Sequence, residues 1–447
     1  MKKLIDDAAR RAARYIEGLD GRSVAPPQAA VERLSRLDVP LQEDPIAPAA
    51  VLAELDELGS AATVASAGPR YFGFVTGGTL PAALAANILA AAWDQNAVFR
   101  VASPTTVVIE QVCARWLIDL LGLPPAAGVG FVTGATMANF SALAAARHAL
   151  LERAGWDVEA HGLFDAPPIT VVVGAEAHVS VLKALSLLGL GRERVVRVPV
   201  DGQGRMRPEA IPALRGPAII CTQAGNVNTG AFDPVDRIAD VAKASRAWLH
   251  VDGAFGLWAA ACPDRRHLAA GIAEAHSWAT DAHKWLNVPY DSGLVFVREA
   301  GHLKAAMSSS AAYLIAGDTR EPSHYTPELS RRARGVEIWA ALRSLGRSGL
   351  ADLIARTCRH ARVLAEGLTA AGHPVLNEVV LNQVLVAFGD AERTRQVIAA
   401  VQQEGTCWCG GTEWQGHAAM RISISSWATT EEDVARSLAA ILRVASN

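Results

Sequence analysis

Between about Phe74 and Gly301, short β-branched runs alternate with helical stretches, and no other feature of the chain restricts its fold as strongly. The runs are Ile169 to Val173, Val195 to Val200, Ala218 to Cys221, Trp248 to Val251 and Leu294 to Val297. Strands that alternate with helices predict an α/β fold: a mostly parallel central sheet with helices on both faces. In open sheets of this kind ligands collect at the carboxyl ends of the strands. Asp252 directly follows the run from Trp248 to Val251, so it is expected to project into that crevice.

The flanks read differently. Leu4, Ile5, Ala8, Ala12, Tyr15, Ile16 and Leu19 recur at helical spacing, and Gly18 and Gly21 stop the run. A link at Ala25-Pro26-Pro27 and a second helical stretch near Ala49 to Leu58 follow. Residues 1–73 therefore read as a helical arm that packs on the main domain or on a neighbouring subunit. Residues 74–331 read as the large α/β domain. From 332 to 447 a helical stretch (Ala333 to Leu368) leads into strand-like runs at Val379 to Phe388 and Met420 to Ser425, a small α+β domain.

Composition excludes several roles. The chain has 447 residues, 51% of them hydrophobic and 19% charged, enough apolar surface for a large core. A net charge of −3 offers no electrostatic case for nucleic acid or an anionic membrane. The longest apolar stretch, Leu80 to Trp93, contains Pro81 and Asn87 and is too short to span a bilayer. Acids in Met-Lys-Lys-Leu-Ile-Asp-Asp stand where a secretory signal needs an apolar run, and the six scattered cysteines form no metal-binding spacing. The expectation is a cytoplasmic protein with free thiols and no metal.

Four local signals carry chemistry. Gly134-Ala135-Thr136 opens a helix that runs through Leu150, and small residues there let backbone N–H groups approach an anion such as a cofactor phosphate. His178 follows the strand-like Val171-Val172-Val173, where an imidazole can stack on an aromatic ring. Asp252 lies in His250-Val251-Asp252-Gly253-Ala254, and Ala254 is small enough to lie flat against a ring. Lys284 lies in Asp281-Ala282-His283-Lys284-Trp285, with His283 able to bond a phosphate and Asp281 and Thr280 offering polar anchoring. A lysine nucleophile and a carboxylate that keeps a ring nitrogen protonated together suggest pyridoxal phosphate. Lys284 would hold its aldehyde as a Schiff base.

With these elements in this order, the chain resembles the pyridoxal-phosphate-dependent amino-acid decarboxylases of the group that includes the aromatic-L-amino-acid, glutamate, tyrosine and histidine enzymes. The resemblance runs from Pro69-Arg70-Tyr71-Phe72-Gly73 through Ser103-Pro104, Glu110, Ala177-His178-Val179-Ser180, Gly230-Ala231-Phe232-Asp233-Pro234 and His283-Lys284-Trp285 to Arg421-Ile422-Ser423. It implies the fold type I of pyridoxal-phosphate-dependent transferases and a homodimer. It also implies Lys284 as the Schiff-base lysine, His178 as the stacking histidine, Asp252 as the ring-nitrogen partner, and Ala135, Thr136 and His283 on the phosphate side. Gln223 stands where relatives often carry threonine near the cofactor hydroxyl, and Asp281 where some carry asparagine. Gly253 replaces a frequent alanine, and the phosphate turn departs from a Gly-Gly-Ser-Glu-like form.

The reaction implied is loss of CO₂ from an L-amino acid to give the amine. Resemblance places the proton donor on a mobile-loop tyrosine, first Tyr313 and second Tyr325. Tyr71, Phe72, Phe74 and Trp93 suggest a hydrophobic or aromatic substrate side chain, although Tyr71 and Phe72 equally suit a core. Arg70 and Arg421 are single candidates for a substrate carboxylate. The same residues suit an aminotransferase, a carbon–sulfur lyase, a decarboxylating aldehyde synthase or a non-catalytic cofactor-binding homologue.

Overall fold

The computed structural model describes residues 1–308 and 320–446. The chain forms two compact units. The larger comprises Thr79–Arg359 and Asn377–Gln383, and the smaller Met1–Gly78, His360–Leu376 and Val384–Asn447. This division differs from three successive segments with cuts after residues 73 and 331. N-terminal residues join C-terminal ones: Tyr71 stacks on Trp408 at 5.1 Å, and the Val24 N–H donates to the Gly405 carbonyl. The long helix Gly335–Ala370 continues in the larger unit as far as Arg359, and it is interrupted at Gly346 by a residue with φ 60° and ψ −173°.

The larger unit is built on a seven-stranded sheet: β1 (Gly128–Val132), β2 (Thr170–Gly174), β3 (Val196–Val198), β4 (Ala218–Gln223), β5 (Trp248–Asp252), β6 (Ser277–Asp281) and β7 (Gly293–Val297). Their spatial order is β1-β7-β6-β5-β4-β2-β3. Pairing is parallel from β3 to β6, and β7 runs antiparallel to both its neighbours. Because side chains alternate across a pleated strand, Val171, Val173, Ile219, Cys221, Val295 and Val297 share one face. There they pack with Ala138, Ala142, Ala145 and Ala149 of the helix Ala135–Arg153. The intervening Val172, Ile220, Val251, Leu294 and Phe296 are equally buried on the other face. Burial on both faces explains the continuous apolar runs and bears out the α/β expectation.

Two of the seven strands escape a sequence reading. β1 (Gly-Val-Gly-Phe-Val) carries two glycines and β6 (Ser-Trp-Ala-Thr-Asp) three polar residues, yet every residue of both is buried. Glycine in β1 reflects close approach, since a methyl at Gly130 would collide with the Tyr325 carbonyl.

The smaller unit carries a three-stranded sheet in the order β8-β10-β9, from β8 (Gln383–Val386), β9 (Gly410–Trp414) and β10 (His417–Ser423). β9 and β10 form a hairpin whose two turn residues, Gln415 (φ 48°) and Gly416 (φ 83°), both adopt left-handed conformations, as a tight antiparallel turn requires. Arg70, 2% exposed, joins distant parts of this unit. Its Nη1 donates to Asp433 Oδ1 at 2.7 Å and Asp20 Oδ1 at 2.5 Å, its Nη2 to the Asp20 carbonyl, and its Nε to the Thr406 carbonyl. Among the described residues no helix is long and apolar enough to cross a membrane.

Candidate active site

A cleft at the carboxyl ends of β4 and β5 is lined by His178, Gln223, Gly225, Val227, Asp252, Ala254, Phe255 and Lys284. Five residues singled out from sequence meet here. Gln223 and Asp252 end adjacent strands and face each other in register. Chain reversal beyond these strands requires tight backbone approaches. Gly225 (φ 93°) lies against Gly256, and a methyl at Gly253 would come within 2.7 Å of Leu257 Cβ.

Asp252 is buried but supported on every side. Its Oδ1 accepts the Ala254 N–H at 3.1 Å, and its Oδ2 accepts Asn139 Nδ2 at 3.2 Å and the Ser180 hydroxyl at 3.5 Å. Behind it, Asn139 Oδ1 pairs with His250 Nε2 at 2.9 Å, His250 Nδ1 with Ser277 Oγ at 2.9 Å, and Trp248 Nε1 donates to the same Ser277 oxygen at 2.8 Å. Asn139 donates its amide N–H to Asp252, so its oxygen must accept from His250, which fixes the imidazole with its proton on Nε2. Burial pushes His250 down to about 4, against the raising influence of Asp252, so the ring is neutral. Sequence reasoning assigned no role to Asn139 or Ser277, since each acts through a partner more than a hundred positions away or across a strand pair.

His178 caps the helix Val179–Leu187. Its Nδ1 accepts the Ser180 N–H at 3.2 Å and lies 2.8 Å from the Ser180 hydroxyl. Through Ser180 the histidine and Asp252 share one hydrogen-bonded neighbour, which orients the imidazole at the cleft. Beside them Gln223 Nε2 is buried without a hydrogen-bond partner, a donor left open inside the cleft.

Lys284 stands on the turn between β6 and β7. Asn287 (φ 57°) closes that turn by donating to the Lys284 and Trp285 carbonyls, and Trp285 anchors it by an indole N–H to Thr357 Oγ1 at 3.0 Å. Lys284 Nζ lies 3.0 Å from Asp281 Oδ2, while Asp281 Oδ1 accepts the Ala135 N–H at 2.6 Å. That N–H opens the helix Ala135–Arg153, where unpaired N–H groups and the helix dipole favour an anion. Gly134 leaves the room: a methyl there would meet His283 Cε1 at 3.2 Å and Asp281 Oδ1 at 3.3 Å. His283 Nδ1 accepts the Ser292 N–H, and its ring lies 4.3 Å from that of Tyr290. Burial is the first cause of the lowered His283 value, opposed by Asp281 and reinforced by Lys284.

These features fit pyridoxal phosphate: an anion-binding helix start, an amine, a buried carboxylate and an open amide donor. Ala135, Thr136 and His283 would hold its phosphate, Asp252 its ring nitrogen and Gln223 its hydroxyl. Among the described residues no cluster of three His, Cys, Asp or Glu groups is arranged to hold a metal ion.

Other sequence candidates are not among the residues that line this cleft. Tyr71 and Phe72 belong to the smaller unit and are buried, Tyr71 beside Leu19, Val24 and Ala65. Arg70 is consumed by the ion cluster described above, and Arg421 lies on β10, its value lowered by burial. Tyr325 packs against the sheet core beneath the Arg320 guanidinium, 3.9 Å from its ring centroid. Tyr313 lies outside the described residues.

The chain is similar to known proteins. The chain is 30% identical to an L-2,4-diaminobutyrate decarboxylase of Rhizobium meliloti, over 80% of this chain and 74% of that one. It is also 30% identical to an acidic amino acid decarboxylase of Bos taurus over 67% of this chain, and spans 59% of that relative's length. A crystal structure of Oryza sativa TDC with PLP and tryptamine superposes with a TM-score of 0.91 at 21% identity, covering 100% of this chain and 97% of that one, which shows a shared fold. A family model described as the pyridoxal-dependent decarboxylase conserved domain matches residues 32–389, and the chain belongs to that family.

Proposed function

We propose that this chain removes CO₂ from an L-amino acid with a hydrophobic or aromatic side chain, releasing the amine. The convergence of Lys284, Asp252, His178 and Gln223 on one cleft carries this reading. Bound pyridoxal phosphate supplies an aldehyde carbon for an amine and a ring that draws electrons from the substrate α-carbon.

The chain's own residues do the rest. Lys284 Nζ, on its anchored turn, presents the amine. Asp252, held by three donors, would keep a proton at the ring nitrogen through a charge-assisted pair, and so maintain the ring's pull on electrons. His178 would stack on one side of the ring and Ala254 would lie against the other. Gln223 Nε2 would donate to the ring hydroxyl and so gain the partner it lacks.

Val227 and Phe255 give the cleft an apolar wall, and among its lining residues Lys284 is the single lysine or arginine. That supports an uncharged substrate side chain, although the relatives' names span acidic and diamino substrates. Tyr71 and Phe72 remain candidates for substrate contact, and Tyr313 for the proton donor, since Tyr325 is committed to packing. We also infer a homodimer, supported by the helix Pro81–Trp93, which has no charged residue and exposes Ile88, Leu89 and Trp93. A cytoplasmic location suits the six free cysteines.

Incubation with a pool of the standard amino acids and mass analysis of the products tests the reaction. Amine with CO₂ is expected; a keto acid, or aldehyde with hydrogen peroxide, would replace it with another reaction of the same cofactor. Tyr313→Phe should suppress amine release and leave cofactor absorbance intact. Unchanged amine release would remove that tyrosine from the mechanism.

A further inference from the structure

Asp281 sits where the proposed chemistry gives an anion least reason to be. It is buried, its two oxygens are divided between the first N–H of the helix Ala135–Arg153 (2.6 Å) and the amine of Lys284 (3.0 Å), and His283 Nε2 lies 3.6 Å from Oδ1. These are the groups that a phosphorylated aldehyde needs: a donor for its phosphate and an amine for its carbonyl. No other carboxylate in the cleft is shared this way, since Asp252 is occupied by Asn139, Ser180 and Ala254.

Resting on the functional reading above, we infer that Asp281 is a charge latch on cofactor loading: a built-in anion that competes with the cofactor phosphate for the helix start and pairs with the Lys284 amine whenever that amine is unengaged. Condensation of the lysine with the aldehyde requires the neutral amine. Nζ gives a proton to solvent, its lone pair forms the C–N bond, and the carbonyl oxygen leaves as water. A carboxylate 3.0 Å away opposes the first step, because it favours the charged amine. The same carboxylate opposes phosphate binding by like-charge repulsion in a water-poor pocket. A Lys284 amine displaced by an incoming substrate amine would find Asp281 within 3.0 Å.

The other groups around Asp281 do not cancel its charge. His283, on the same turn, has its value lowered chiefly by burial. Asp291 on the β7 side is paired with Arg334 at 2.8 Å, the first helical turn from Ala135 brings no charged residue, and the cleft beyond Lys284 contributes Asp252 and His178.

The test uses the full chain and Asp281→Asn, which keeps an oxygen for the Ala135 N–H and removes only the charge. Asp281→Ser is the second variant should the first fold poorly. Inorganic phosphate and pyridoxal phosphate, measured by calorimetry on cofactor-free protein at pH 7.5, should each bind about tenfold tighter to the variant. Pyridoxal, which lacks the phosphate, reports the lysine alone, and the pH midpoint for its condensation (read by absorbance) should move to lower pH. Phosphate affinity that is unchanged or weaker, or an unmoved pH midpoint, overturns the latch. Borohydride reduction and peptide mapping of the wild-type protein separate the two readings. Absence of label at Lys284 defeats the functional reading, whereas label at Lys284 with unmoved affinities defeats only the latch.

Discussion

Two buried charge clusters set this molecule's two units apart. In the smaller unit, Arg70 meets Asp20, Asp433 and two carbonyls, and its donors are directed at groups of the protein itself. In the larger unit, Asp252 and Asp281 are comparably enclosed beside the part-buried Lys284, but a neighbouring donor, Gln223 Nε2, is left without a partner. Burial of charge alone therefore does not mark a site. A closed set of partners reads as architecture, whereas an open valence beside a nucleophile reads as a place for a reagent.

The sharpest way to break this contrast is Asp252→Asn. Losing the charge that holds the ring-nitrogen proton should lower turnover about 10²–10⁴-fold. Melting should change far less, because an amide can still bond Ala254, Asn139 or Ser180. Near-normal turnover by product assay would mean that this carboxylate is architecture too.

Arg70→Met should do the reverse. It leaves Asp433 buried without its cation, and urea unfolding should lose about 3–5 kcal/mol while cofactor absorbance per folded molecule stays the same. A loss of cofactor binding without a loss of stability would dissolve the distinction between the two clusters.

Acid offers a graded comparison. Burial holds His250 at about 4, below its ordinary value of 6.5, so between those values the unfolded chain binds a proton that the folded chain refuses. Stability should therefore fall as pH drops from about 6.5 towards 4, by on the order of 3 kcal/mol for this residue. His276, also held at about 4 by burial, adds in the same direction. Melting temperatures between pH 7 and 4.5 that stay flat would show that His250 is not the neutral link inferred here.

The mildest substitution addresses the open valence itself. Gln223→Leu removes a buried unpaired amide, so the cofactor-free protein should gain about 1 kcal/mol while cofactor affinity falls several-fold. Loss of stability instead would show that Gln223 is satisfied by the protein.

Much of the larger unit was legible in sequence because strands buried on both faces carry apolar runs, as residues 171–173 of β2, 218–221 of β4, 248–249 of β5 and 294–297 of β7 do. β1 and β6 were not, because glycine and polar residues in them answer to neighbours that only the folded sheet supplies. In the cleft, Lys284, Asp252 and His178 were found from local motifs at strand ends. Asn139 and Ser277 were invisible, since nothing local distinguishes a helix asparagine or a strand serine from any other until His250 lies between them. Tyr71 and Phe72 are both buried in the smaller unit, and an aromatic pair beside a glycine reads the same in a core as near a pocket.

The row from Trp248 through Ser277, His250 and Asn139 to Asp252 starts at the buried first residues of β5 and β6 and ends at the reacting ring's expected position. Spectral tuning of this protein need not come from residues that touch the chromophore. Ser277→Ala, far from any ligand, should leave His250 Nδ1 without its donor while Asn139 still holds the proton on Nε2, and the weakened row behind Asp252 should shift the visible colour of the loaded protein.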